Sequence, residues 1–104
     1  MDMDGSRNII FIYSYTNSAH EKTRAEIVFA NPTGMGMGEI EYGIKSRLKD
    51  LEYFNHSDFM VSALYGEYPD LNENPVLHAF ESVNPTDKEA TDKRSIGDFI
   101  GNIK

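Results

Sequence analysis

Residues 33–51 have the sequence TGMGMGEIEYGIKSRLKDL, a glycine-rich loop followed by the most sustained helical pattern in the chain. Four branched apolar residues in it recur at the spacing of one helix face: Ile40, Ile44, Leu48 and Leu51. That spacing predicts an amphipathic helix whose apolar face is buried. Glu41 precedes Lys45 by four residues, the order that stabilises the exposed side of a helix. The rest of the chain therefore has to supply the surface on which this helix packs.

The segments before the helix are rich in β-branched and aromatic residues, which predicts two strands, at 8–16 and 25–30. The polar stretch between them favours an antiparallel hairpin. Asn31-Pro32 ends the second strand, because proline cannot donate to a strand ladder and restricts the residue before it.

The segments after the helix predict two further strands and a second helix. We expect a third strand at 59–65, with a continued helix as the alternative, and a fourth at 76–83. Ser95 with Asp98 three residues later resembles a capping box. It predicts a short helix with one apolar face: Ile96, Phe99, Ile100 and Ile103. The order ββαββα predicts an α+β fold, a four-stranded antiparallel or mixed sheet with the helices packed on one face.

Length and composition limit the classes of function. The 104 residues fit a single α+β domain at 8–104, preceded by a flexible N-terminal tail at 1–7. A net charge of −7 disfavours nucleic-acid binding, which depends on lysine and arginine. The chain contains no cysteine and no apolar run of the roughly 20 residues that span a bilayer. An export signal is also missing, so we expect a cytoplasmic protein that does not bind membranes.

The first strand carries large apolar residues on both faces, which one layer of helices cannot cover. Four aromatic residues add to that area: Tyr13, Tyr15, Phe59 and Tyr65. We expect this surplus to be covered by a second copy of the chain in a homodimer.

The glycine loop is the first candidate ligand site. Gly34, Gly36 and Gly38 lie between a strand and a helix, where backbone N–H groups can cradle a phosphate. The spacing does not match a dinucleotide or P-loop motif, and Glu39 adds negative charge nearby. A flexible joint is the plainer interpretation. The alternative is a small-molecule or nucleotide site formed by this loop and a pocket of the four aromatic rings.

Two weaker patterns involve metal ligands and acid–base groups. Asp70, Asn72, Asn74 and Glu81 follow the spacing of a calcium loop, but Pro75 occupies the position that requires glycine. His56 and Asp58 would share a face of a strand, yet no further ligand or nucleophile accompanies them. The sequence therefore indicates no metal, cofactor or catalytic residue.

These features favour a small acidic protein-interaction module over an enzyme. We expect an inhibitor, immunity or accessory protein of the kind that mobile elements carry, which acts by surface contact as a homodimer. The acidic surface suggests a basic protein as partner. A small-molecule binder is the alternative, and an enzyme that uses His56 and Asp58 is less favoured.

Overall fold

The computed structural model describes residues 8–16, 20–62, 64 and 78–103, so the predicted tail at 1–7 lies outside the described part. The elements follow one another as β1 (Asn8–Thr16), β2 (Lys22–Phe29), α1 (Met37–Lys45), β3 (Tyr53–Phe54), α2 (His56–Phe59), β4 (His78–Thr86) and α3 (Ile96–Gly101). The strands form one antiparallel sheet in the order β2-β1-β4-β3. The predicted α+β class with a four-stranded sheet is therefore confirmed.

β1 lies at the centre of the sheet, where its alternating side chains separate two faces. One face consists of Ile9, Phe11, Tyr13 and Tyr15, each at most 4% exposed. The predicted hairpin is confirmed, with Ile9 opposite Phe29 at one end and Thr16 opposite Lys22 at the other. We call the β1 face that contains Phe11 the core face, and the opposite one the outer face.

Aromatic rings and the two longer helices fill the core against this face. The ring of Phe11 lies 5.1–6.4 Å from five other rings: Tyr13, Phe54, Phe59, Phe80 and Phe99. α1 contributes Ile40 and Ile44, as predicted. Its Gly43 permits close packing on α3, because an added Cβ would lie 2.9 Å from Cγ2 of Ile100.

The helix in 33–51 is shorter than its apolar spacing predicts. α1 ends at Lys45, and although Leu48 is buried, Leu51 is 70% exposed with a φ of 60°. The prediction that Leu51 continues the buried face is wrong. The chain turns tightly instead, and the amide of Lys49 donates to the carbonyl of Tyr53 at 2.6 Å, where β3 begins.

The third strand is also misplaced by the sequence pattern. Residues 59–62 are not a strand, since α2 ends at Phe59 and Met60 has a left-handed backbone with a φ of 56°. Asn55 starts α2, because its side chain accepts a hydrogen bond from the amide of Ser57. The strand next to β4 is β3 instead, so α2 interrupts the predicted element order.

The last strand and helix lie close to their predicted positions. β4 continues beyond the predicted end at residue 83, through Pro85, to Thr86. Among the described residues, β3 pairs with β4 only at Ala79 and His78, so Pro85 lies where the outer edge of β4 needs no donor. The capping interaction of α3 is confirmed, with Ser95 Oγ accepting from the amide of Asp98 at 3.1 Å.

None of the helices in the described ranges combines the length and the apolar content that crossing a bilayer requires.

Candidate contact surface

The outer face of the sheet has an apolar centre that lies outside the core. Ile10 and Ile12 are partly exposed, and neither belongs to the buried cluster. By the strand register, Ile12 lies between Glu26 of β2 and Ser82 of β4. Lys22 and Arg24 of β2, on the same face, are exposed. The outer face thus presents a small apolar centre with charged and polar side chains around it.

One end of the outer face is closed by residues 88–91. The side-chain Nδ2 of Asn8 donates to the carbonyl of Lys88 at 2.9 Å. The Nζ of Lys88 lies 2.9 Å from Oε1 of Glu26. Thr91 bonds to both backbone groups of Val28, at 2.9 Å through Oγ1 and 2.8 Å through its amide. Val28 is consequently only 2% exposed, so this segment covers part of the apolar area that β1 and β2 present outward.

The other end of the outer face is polar. The register shifts between Ile12 and Tyr13, which leaves Glu81 as an additional residue in β4. Glu81 accepts a hydrogen bond from Ser14 Oγ at 2.5 Å and pairs with Lys22 Nζ at 2.9 Å. The hydrogen bond from Ser14, followed by that from Lys22, lowers the pKa of Glu81. The carboxylate is therefore charged at neutral pH and holds β1, β2 and β4 together.

Two shallow cavities adjoin this polar end. The first measures about 220 Å³ and is lined by Ser14, Thr16, Lys22, Glu52, Tyr53, Ala79 and Glu81. The second, also about 220 Å³, lies between α1 and residues 80–84 of β4, beside Glu41 and Lys45. Both are below the roughly 300 Å³ at which small-molecule pockets begin. Neither contains a residue of the predicted ligand site.

The predicted aromatic pocket is occupied by packing. Tyr13, Tyr15 and Phe59 are all buried within one chain, and Tyr13 Oη donates to the carbonyl of Ser62 at 2.8 Å. Burial also raises the pKa of Tyr13. The expectation that one chain leaves these three rings uncovered is therefore wrong, while Tyr65 lies outside the described residues.

The glycine loop lies at the opposite end of the β1–β2 hairpin from Tyr15. Gly34 has a φ of 67°, Gly36 is the N-cap of α1, and Gly38 lies in its first turn. Asn31 holds the loop, because its side chain bonds to both the amide and the carbonyl of Met35. The structure does not bring the loop and the buried rings into one pocket.

His56 and Asp58 do not share a face, because both belong to α2, and residues two positions apart in a helix point in nearly opposite directions. The prediction that they line one side of a strand is wrong. His56 Nδ1 lies 3.1 Å from the carbonyl of Val61, and its ring centre lies 5.4 Å from that of His78. His78 is fully buried, and its Nε2 accepts a hydrogen bond from the amide of Leu64 at 2.9 Å.

The predicted calcium loop lies mostly outside the described residues, which include Glu81 but not Asp70, Asn72 or Asn74. Glu81 is bound by Ser14 and Lys22, as described above. Within the described ranges, no three histidine, aspartate or glutamate side chains are grouped as metal ligands would be.

The burial of His78 predicts a pH-dependent stability. Burial, and then the charge of nearby His56, lowers the pKa of His78 from 6.5 to about 4. Above pH 6.5 His78 is neutral in both the folded and the unfolded chain, so the free energy of unfolding does not change with pH through this residue. Between pH 6.5 and 4 only the unfolded chain takes up the proton, so the free energy of unfolding falls. We expect a loss of about 2 kcal/mol between pH 7 and 5 from this residue.

Urea denaturation of the wild type, His78→Gln and His20→Asn at pH 7 and 5 measures this effect. His20 is an exposed histidine with a positive φ, which asparagine tolerates, so it is the matched control. The loss on acidification should shrink by about 2 kcal/mol in His78→Gln and stay unchanged in His20→Asn. NMR signals of the His78 ring that titrate near pH 6.5 in the folded wild type would contradict the account.

Comparison of this chain with protein-family models, with curated proteins and with solved structures found no match.

Proposed function

We propose that the chain is a small acidic protein-interaction module that acts by surface contact and works as a homodimer. The supporting observation is the outer face, with Ile10 and Ile12 partly exposed at its centre and charged residues of β2 at its margin. Protein interfaces have this anatomy, an apolar centre with a polar rim. The kind of protein that we infer is an inhibitor, immunity or accessory factor in the cytoplasm.

The charge of the chain favours a basic partner. The net charge of −7 attracts a positively charged protein and raises its rate of encounter with the chain. Exposed acidic residues lie on several elements of the structure: Glu26 on β2, Glu39 on α1 and Asp58 on α2. The attraction thus raises the rate of encounter, and the apolar centre of the outer face supplies the contact.

The small-molecule alternative has lost its main support. Its pocket required open aromatic rings, whereas Tyr13, Tyr15 and Phe59 pack in the core. The enzyme alternative required His56 and Asp58 on one face, whereas in α2 their side chains point in different directions. No observation in the described residues favours either class over surface contact.

Affinity capture from an extract of the source cell, with three baits, tests the proposal. The baits are the wild type, Ile12→Arg on the outer face, and Tyr42→Arg on α1, where Tyr42 is 76% exposed. Both variants add the same charge, and thermal unfolding establishes that each is folded. We expect a basic protein that the wild type and Tyr42→Arg capture equally and Ile12→Arg captures at least about tenfold less.

Capture that Ile12→Arg leaves unchanged, or that both variants weaken equally, would contradict the outer face as the contact surface. Light scattering of the wild type at tens to hundreds of micromolar tests the dimer separately. A mass equal to one chain throughout that range would remove the homodimer from the proposal.

A further inference from the structure

The outer edge of β2 is the best-defined unpaired strand edge in the described residues. β2 pairs with β1 on one side, and no other described strand lies on its opposite side. The bonds from Thr91 show that both backbone groups of Val28 point away from β1. Since backbone direction alternates along a strand, the N–H and C=O groups of Lys22, Arg24 and Glu26 point the same way. All three residues are exposed.

The side chains on this edge are self-complementary. Arg24 and Glu26 carry opposite charges two residues apart, on the same face of the sheet. In an antiparallel pair of two identical strands, each residue lies opposite a residue of the other copy, symmetrically about a twofold axis. A twofold axis at Ala25 places Arg24 opposite the partner's Glu26 twice. It also places both residues where their outward backbone groups can bond.

We propose that two copies of the chain pair through the outer edges of β2, antiparallel and with the twofold axis at Ala25. The result is a continuous eight-stranded sheet in which the outer faces of both copies lie on the same side. This inference rests on the homodimer of the proposed function and names its interface. In this dimer the apolar centres of the two outer faces lie side by side, so one partner protein contacts both and binds more strongly through multivalency.

Neighbouring registers are less favourable. An axis at Arg24 would place the two Arg24 side chains directly opposite each other, and like charges in that position are destabilising. An axis at Glu26 would do the same with carboxylates. It would also place Arg24 opposite the partner's Val28, whose backbone groups already bond to Thr91. The register about Ala25 pairs opposite charges and keeps the outward backbone groups of Arg24 and Glu26 available, and only Lys22 lies opposite Val28.

The outer edge of β4 is a poorer alternative. Its ladder is interrupted by the additional residue at Glu81, and Pro85 has no N–H to donate. Lysine and arginine on the β2 edge, by contrast, discourage pairing with unrelated strands. The edge of β2 therefore disfavours pairing with unrelated strands and favours pairing with the β2 edge of a second copy.

The lack of cysteine allows a direct test by disulfide trapping. In the proposed register Ala25 faces the partner's Ala25 as a non-hydrogen-bonded pair, with Cα atoms about 4.5 Å apart. That distance is within the range of a disulfide. Thr23, two residues earlier on the same face, would lie about 14 Å from the partner's Thr23. Ala25→Cys should form a disulfide-linked dimer at least about tenfold faster than the matched control Thr23→Cys.

A charge exchange provides an independent test that does not depend on a thiol. Arg24→Glu and Glu26→Arg should each raise the dissociation constant of the dimer about tenfold, because each places like charges opposite each other twice. The double variant carrying both changes restores the opposite charges and should recover most of the affinity. Sedimentation velocity over a concentration series measures all four proteins, and circular dichroism establishes that each is folded.

The outcomes separate this interface from the proposed function. If Ala25→Cys and Thr23→Cys cross-link at equal rates and the double variant is not rescued, the β2 interface is wrong. A dimer mass for the wild type would in that case leave the homodimer standing with another interface. If the wild type is a monomer throughout, both the interface and the homodimer fall, whereas the capture experiment still tests the outer face.

Discussion

Replacing Phe11 with alanine should lower the free energy of unfolding by about 4 kcal/mol, the largest effect that we expect from a single substitution. The Phe11 side chain is fully buried and lies among five aromatic rings. Its removal leaves a cavity that these rings cannot fill, since they are fixed on different elements. A domain of this size is stable by roughly 5–15 kcal/mol, so the substitution removes about a quarter or more of that stability.

Ile12→Ala is the matched control, because the adjacent residue of β1 points to the outer face. Ile12 is partly exposed and lies outside the core, so its replacement should cost about 1 kcal/mol or less. Urea denaturation followed by circular dichroism measures both variants. Equal losses would show that the two faces of β1 are assigned incorrectly, and with them the outer face as a contact surface.

Arg94→Ala should lower the free energy of unfolding by about 2–4 kcal/mol, the second-largest effect. The guanidinium donates to Asp92 at 2.9 Å and to the carbonyls of Phe59 and Met60 at 3.2 and 3.0 Å. It also lies 5.2 Å from the ring centre of Phe99. Arg94 thus connects the segment after β4 to α2 and α3, and its loss leaves a half-buried carboxylate without its cation.

Lys93→Ala removes the same charge at the adjacent, exposed position and should change the unfolding free energy by less than about 0.5 kcal/mol. A second readout is the pKa of Asp92, which the hydrogen bond from Arg94 lowers. That pKa should rise in Arg94→Ala and stay unchanged in Lys93→Ala. Two variants of equal stability would show that the contacts of Arg94 are not formed in solution.

Local signals in the sequence predicted the elements that depend on few neighbours. β1 extends over the predicted residues 8–16, because a dense run of β-branched and aromatic residues suits a central strand. The start of α3 was predicted from Ser95, since capping is a contact between residues three apart. The buried face of α1 was predicted from Ile40 and Ile44, since residues four apart lie on the same side of a helix.

Elements that tertiary pairing determines were not predicted. β3 has only two residues, Tyr53 and Phe54, which are too few to show alternation. It is defined by its pairing with β4. The run at 59–65 alternates convincingly, yet Asn55 caps a helical turn that ends at Phe59. Apolar spacing beyond Leu48 likewise gave no sign of the turn that exposes Leu51.

The candidate surface was predicted only in part. The apolar character of both β1 faces predicted apolar area outside the core, and Ile10 and Ile12 are partly exposed on the outer face. The sequence could not show that residues 88–91 cover one end of it, because that contact joins positions far apart in the chain. Nor could it show that β2 lies at the edge of the sheet, which depends on strand order.

Amide hydrogen exchange of the wild type at low and high protein concentration tests most directly whether two copies of the chain pair through the outer edge of β2. The amides of Arg24 and Glu26 point away from β1, so they should exchange rapidly in the single chain and at least about tenfold more slowly in the dimer. Lys22 lies on the same edge but opposite the blocked Val28 of the partner, and its amide should remain fast. Exchange at Arg24 and Glu26 that is independent of concentration would contradict the account.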